Sequence, residues 1–151
     1  MEKDVITITP NELIAKARLG LAQAYAPYSK FPVGAAVVDD RGRIFTGVNV
    51  ENASYGLTMC AERVAIFSAI AAGARRILAV AVIAKDVRSI TPCGACRQVM
   101  AEFCEPDAQV FSDAGPSEIV TWTVGGLLPE AFTSRNLRSD KLQKSRAVAQ
   151  L

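Results

Sequence analysis

Histidine is absent from this chain of 151 residues. A transition-metal site must therefore be built from thiolate and carboxylate, and a general base must be something other than imidazole. Long apolar runs are missing as well. Half of the residues are hydrophobic, yet the longest clean run is Ile77 to Ala84, far short of the roughly 20 residues of a membrane helix. That hydrophobicity is expected in a buried sheet or a subunit interface. The net charge of +2 is too small to argue for nucleic-acid or membrane binding. Met1-Glu2-Lys3-Asp4 has no apolar stretch and small-residue cleavage site after it, so no secretory signal is expected and the compartment is read as reducing and cytoplasmic. Internal repeats and an internal linker are lacking too. The length suits one domain with a full core, expected over 1–132, with a polar tail over 133–151.

What is present reads as alternating strands and helices. Thr9-Pro10-Asn11-Glu12 is a helix start with a capping box, and apolar residues then repeat at helical spacing to about Tyr25. A Pro-interrupted loop leads to strands at 33–38 and 43–50, joined by the turn Asp39-Asp40-Arg41-Gly42 as a hairpin. Helical patterns follow at about 60–72 and 93–103, separated by the continuously apolar 77–84, a central strand. Short strands are expected at 109–111 and 119–124, then an apolar closing segment over 127–132. Five strands with interleaved helices make an α/β layered domain, whose ligand sites lie at helix N-termini beyond the strand ends.

The four cysteines then acquire a meaning. In a reducing compartment closely spaced cysteines more often hold metal than pair with each other. Cys93 and Cys96 lie three apart at a helix start and can bind one ion from one helix face. Cys60 lies one helix, one strand and a loop upstream, also at a helix N-terminus, where the dipole and free N–H groups favour thiolate. Zinc is tetrahedral, and three protein ligands leave its fourth position for water. Cys104 would close the site, but on a continuous helix it falls about 12 Å beyond Cys96 at roughly 1.5 Å per residue. It is read as an ordinary semi-buried thiol. Glu62 has a bland reading, a carboxylate favouring a helix N-terminus. Two residues from Cys60, it also lies beside the open position without being a ligand, where it can carry a proton.

Cys60-Ala61-Glu62 with Pro92-Cys93-Gly94-Ala95-Cys96 resembles the signature of the zinc-dependent nucleoside deaminases. Cysteine in the first position, where most of that superfamily has histidine, is similar to the all-cysteine cytidine deaminase branch. The match extends from about Tyr25 to Phe132. It implies a three-layer α/β/α fold with a five-stranded mixed sheet, one Zn2+ per chain, and a homotetramer whose active sites are shared across interfaces. It implies hydrolytic deamination of cytidine and 2′-deoxycytidine in pyrimidine salvage, with activated water attacking C4 and Glu62 shuttling protons to N3 and the leaving amine.

Further roles follow from the same resemblance. Three thiolates overcompensate Zn2+ and weaken its pull on bound water. Arg63 is implied to withdraw that charge by bonding sulfur, assisted by Gln98, whereas Arg97 is read as solvent-exposed. Asn49 and Glu51 alternate onto one side past a strand end. An amide with a carboxylate suits a sugar hydroxyl, and the matching pair in the family binds the ribose 3′-hydroxyl. Phe31 is implied to pack on the pyrimidine and Ala61 to contact substrate; Tyr55 and Phe132 are implied to reach a neighbouring subunit's site. No Gly-rich loop before a helix and no tight Arg/Lys cluster offers a phosphate cradle, which favours a free nucleoside.

Three other readings remain. Blasticidin S deaminase resembles the same all-cysteine motif, though Asn49, Glu51, Asn52 and Tyr55 favour the nucleoside enzyme. A structural zinc module predicts four protein ligands and no role for Glu62. A redox Cys93-x-x-Cys96 pair leaves Cys60 and Glu62 unexplained.

Overall fold

The computed structural model describes residues 8–137. Helix α1, Pro10–Leu19, starts as its sequence dictates. Thr9 Oγ1 accepts from the Glu12 N–H at 3.2 Å, and the Glu12 carboxylate accepts from the Thr9 N–H at 2.7 Å. It ends six residues before the expected Tyr25. Gly20 is a poor helix former, and a Cβ there would lie 3.1 Å from Val48. A 3-10 turn over Leu21–Gln23 then lets Tyr25 form an isolated bridge with Val50.

Strands β1, Val33–Asp39, and β2, Ile44–Val48, form the expected antiparallel hairpin. Helix α2 is Ala61–Ala71, β3 is Ile77–Ala84, and α3 is Gly94–Phe103. Strand β4 runs Cys104–Gly115, much longer than the expected 109–111, and begins directly where α3 stops. The unpromising Glu105-Pro106-Asp107 lies within the register break between the Ile77↔Cys104 and Ala79↔Gln109 pairs, where a proline forfeits no ladder bond. Strand β5 is Glu118–Thr123. Val124, expected in that strand, instead starts the short helix α4, Val124–Leu127, capped by Thr123 Oγ1 accepting from the Gly126 N–H at 3.0 Å. In the segment expected to be a tail, Ser134–Leu137 forms a helical turn, α5; residues 138–151 lie outside those described.

The sheet order is β2-β1-β3-β4-β5, with β3 and β4 parallel and the other neighbours antiparallel. Every residue of β1 is buried, because helices cover both faces of the sheet. Side-chain alternation sorts the core into two clusters. Leu13, Ile14 and Ala17 of α1 meet Ala36, Ala81 and Ile83 on one face. Ala65, Ile66 and Ala69 of α2 and Met100 of α3 meet Val37, Val80 and Val110 on the other. This is the expected three-layer mixed sheet. No helix among the described residues is long and apolar enough to cross a membrane.

One close approach positions the site. A Cβ on Gly47 would lie 2.3 Å from the Ala61 carbonyl oxygen and 2.5 Å from the Ala65 nitrogen. Glycine in β2 therefore lets the first turn of α2, with Cys60 and Glu62 at its end, lie directly on the strand.

The hairpin turn is held by a buried carboxylate. Asp39 accepts from the Arg41 and Arg43 backbone N–H groups at 3.0 and 2.8 Å and from Arg43 Nε at 2.8 Å. Burial pushes its pKa upward, but the Arg43 and Arg41 hydrogen bonds outweigh burial and hold it below the usual value. Because the folded pKa is depressed, the stabilisation is full above the unfolded value near ~3.9 and is lost as pH falls through the folded pKa. Asp39→Ala is expected to cost about 2 kcal/mol in chemical denaturation at pH 7. The difference from the parent should shrink in acid below pH ~4.

Candidate active site

The two cysteine-bearing helices point their N-termini at one place. Cys60 is the N-cap of α2 and Cys93 the N-cap of α3, and neither side chain makes a capping bond to the backbone N–H groups of its helix, so both sulfurs stay available to a metal. Cys96 lies within the first turn of α3, fully buried. The Cys60 and Cys93 sulfurs are 3.8 Å apart and the Cys93 and Cys96 sulfurs 3.7 Å apart, with all three within 4.8 Å of one another. A tetrahedral zinc with Zn–S near 2.3 Å sets its sulfurs about 3.8 Å apart. The donor set fits the ion. It is the one grouping of three or more potential ligands found among the described residues. Cys104 caps the far end of α3 and is not part of it; burial pushes its thiol up to about 12.

Electrostatics favour ionisation at Cys60. The Cys96 thiol and then the Arg63 guanidinium, whose Nη2 donates to Cys60 Sγ at 3.4 Å, pull its pKa down to about 5. Cys96 is pushed well up by holding its proton toward Cys60 and by burial. Metal binding must displace such protons. Arg63 therefore lies with its guanidinium on a sulfur, whereas the Gln98 amide bonds elsewhere. Gln98 lies two residues beyond Cys96, a spacing that points side chains to different helix sides, and its Nε2 donates to the Phe132 carbonyl at 2.6 Å. Arg97 is not the solvent-exposed residue expected: half-buried, it donates from Nε to the Pro92 carbonyl at 2.7 Å and from Nη1 to the Leu127 carbonyl at 3.1 Å.

A cavity of about 230 Å³ opens onto Cys60 and Cys93. Glu62 and Ala61 form part of its wall, as do Phe31 and Asn49. Glu62 is 4% exposed. Burial raises its carboxyl to about 7, with the Cys60 thiolate adding to the rise, so the group holds or releases a proton near neutrality. Larger clefts lie at Arg76–Glu105 and at Lys85–Arg88, but neither contains the cysteine cluster. Chemistry, not volume, identifies the site. Thr58, Ile90 and Thr91 also line it and were not singled out from sequence. They lie in irregular backbone before α2 and α3, where no periodicity marks them.

Asn49 and Glu51, the pair expected at the sugar, are both engaged with the backbone. Asn49 is buried, donating from Nδ2 to the Phe31 carbonyl at 2.8 Å and accepting from the Val33 N–H at 2.9 Å. One amide hydrogen remains free. Glu51 lies outside the cavity wall. Its carboxylate accepts from the Tyr28 and Ser29 N–H groups at 2.9 and 3.2 Å and from the Ser29 hydroxyl, clamping the loop that carries Phe31. Tyr55, 74% exposed, meets Tyr28 edge to face with ring centroids 5.9 Å apart. Phe132 is also exposed. Within one chain neither lines the cavity.

Residues 8–112 match the family described as the cytidine and deoxycytidylate deaminase zinc-binding region. A cytidine deaminase from Halalkalibacterium halodurans is 49% identical over 125 residues, 83% of this chain and 95% of the relative. The crystal structure of a cytidine deaminase from Burkholderia pseudomallei superposes with a TM-score of 0.78 at 49% identity, covering 83% of this chain and 100% of that one. A blasticidin-S deaminase from Bacillus cereus is more distant, at 28% identity over 130 residues. With two thirds of the sequence inside the matched region, and Cys60, Cys93 and Cys96 all within it, the chain belongs to the cytidine and deoxycytidylate deaminase family.

Proposed function

We propose that this protein hydrolyses cytidine and 2′-deoxycytidine to uridine and 2′-deoxyuridine plus ammonia. The observation that carries this reading is the buried Glu62 carboxylate in the wall of the same small cavity as Cys60 and Cys93, which with Cys96 behind them make three sulfurs spaced for zinc. Zinc, once held by Cys60, Cys93 and Cys96, supplies the Lewis acidity that makes water a nucleophile near neutral pH. Glu62 would take one proton from the attacking water and pass it to N3 of the base as the C4–O bond forms. It would then take the proton of the hydroxyl added at C4, as the carbonyl forms and the C4–N bond breaks, and pass it to the departing amine. The carboxylate serves every transfer from one place, because a rigid helix start holds it in the wall of the cavity.

Phe31 offers an aromatic face to the flat pyrimidine, and Ala61 closes the wall behind it. Asn49 offers its free amide hydrogen to the ribose 3′-hydroxyl. Glu51, with one lone pair left on Oε1, is the accepting partner at the sugar end. No lysine or arginine lines the described cavity, which supports a free nucleoside over a nucleotide or polynucleotide. At about 230 Å³ it is smaller than the roughly 300–1,000 Å³ of drug-sized sites, and a small cytosine nucleoside suits it better than blasticidin S.

Residues 1–132 form the catalytic domain in this reading, with 133–151 as its tail, and the protein acts in the cytoplasm. The exposed Tyr55 and Phe132 support a homotetramer in which aromatic side chains complete a neighbour's site. An ultraviolet assay with cytidine, deoxycytidine, cytidylate and blasticidin S, with and without a chelator, tests the function. Chelator-sensitive turnover of the first two is expected, with cytidylate and blasticidin S turned over far more slowly. Preferential turnover of cytidylate or blasticidin S would overturn the substrate assignment.

A further inference from the structure

We propose that Arg97 is a positioning residue for the metal site, its guanidinium pinning the Pro92–Cys93 peptide to the C-terminal end of α4. The inference rests on the zinc reading above and concerns how the chain holds the ligand.

The three cysteines are not equally secured. Cys96 is buried in the core beside Met100. Cys60 receives the Arg63 guanidinium on its sulfur. Cys93 is exposed, and its contacts to sulfur are with the other two cysteines. Its direction must therefore come from the backbone.

Arg97 supplies that control. Its Nε donates to the Pro92 carbonyl oxygen at 2.7 Å. That oxygen and the Cys93 nitrogen belong to one planar peptide unit, so holding the oxygen fixes the plane from which the Cys93 Cα departs. The Pro92 ring fixes the preceding φ, and Pro92 is itself buried.

The other end of the fork is anchored on a second element. Nη1 donates to the carbonyl of Leu127, the last residue of α4, at 3.1 Å. Carbonyls at a helix end lack intrahelical partners, and Arg97 satisfies this one. The next residue, Gln98, donates to the Phe132 carbonyl. Two successive side chains of α3 therefore bind the 127–132 segment alongside the metal-bearing turn. A planar guanidinium can bond both carbonyls from one rigid group, which a lysine ammonium cannot reproduce.

The test is the rate at which zinc-loaded protein surrenders its metal to an excess of chromogenic chelator, measured for the parent, Arg97→Ala and Arg97→Lys, together with kcat and KM on cytidine. Outer partners of metal ligands are worth roughly 10–100-fold in metal affinity or activity. Arg97→Ala is expected to release zinc at least about 10-fold faster, with kcat reduced more than KM is raised, and Arg97→Lys to fall between. Leu13→Ala, in the core across the sheet, lowers stability without touching the clamp and is expected to release zinc at the parent rate. Parent-like release from both Arg97 variants overturns the proposal. So does release from Leu13→Ala as fast as from Arg97→Ala at the same loss of Tm, since stability alone would then account for it. Should Arg97→Ala fail to fold, Arg97→Lys decides by the same criterion. A parent protein that takes up no zinc overturns the metal reading and the clamp with it; normal zinc with unchanged release overturns the clamp alone.

Discussion

Glu62→Gln is expected to retain one zinc per chain and to lose a factor of about 10³–10⁴ in kcat/KM on cytidine, the upper range for removing a positioned acid–base group. The amide keeps the size and one hydrogen-bonding oxygen of the side chain, so the packing at the start of α2 survives. It cannot accept and return a proton. Burial of the carboxylate, at 4% exposure, makes the substitution clean in a second way: the uncharged amide lies in a place that already disfavours charge. Folding should be unimpaired or slightly improved, and the loss should appear in kcat more than in KM. Zinc analysis and steady-state kinetics on the same preparation check both halves. Activity within about 10-fold of the parent would place the proton carrier elsewhere.

Cys93→Ser should abolish turnover by a different route. Of the three sulfurs, that of Cys93 belongs to the exposed residue, so its replacement opens no cavity in the core. A serine hydroxyl is a poor zinc ligand at neutral pH, because the ion is held by thiolate. Zinc content should fall well below one per chain and activity by about 10³-fold or more, the worth of several kcal/mol of metal assistance. The parent's stability should rise with free zinc, while the variant's should not. Tm measured with and without a chelator reads this directly: a shift in the parent and none in Cys93→Ser. A variant with full zinc and full activity would remove Cys93 from the ligand set.

Much of this was legible in the residues because the relevant signals are local. Thr9-Pro10-Asn11-Glu12 specifies a helix start within four residues, and the structure has that capping box. The unbroken apolar run from Ile77 to Ala84 reads as a central strand covered on both faces, and β3 has those bounds. The Cys93/Cys96 spacing places both sulfurs on one helix face, and Cys60 joins them because the fold brings the N-termini of α2 and α3 together.

The parts that were not legible depend on distant contacts. α1 stops at Gly20, and that this position also lies against Val48 of β2, 3.1 Å from where a Cβ would be, is a contact the local pattern does not announce. β4 absorbs Pro106 because the register slips there, which no local pattern announces. Gln98 and Arg97 are assigned by their partners, the carbonyls of Phe132, Pro92 and Leu127, and a backbone acceptor leaves no side-chain signature to read. Glu51 shows the same limit. Its alternation with Asn49 suggests a shared ligand, yet its carboxylate is also the brace of the Tyr28–Ser29 loop.

The zinc K-edge absorption spectrum, recorded on the parent and on Glu62→Gln, bears most directly on the arrangement proposed for the metal. Three sulfur neighbours near 2.3 Å and one oxygen neighbour are expected in both proteins. A fourth sulfur, or an oxygen neighbour that disappears with the Glu62 carboxylate, would contradict a site that keeps one position for water and holds its acid–base group free of the metal.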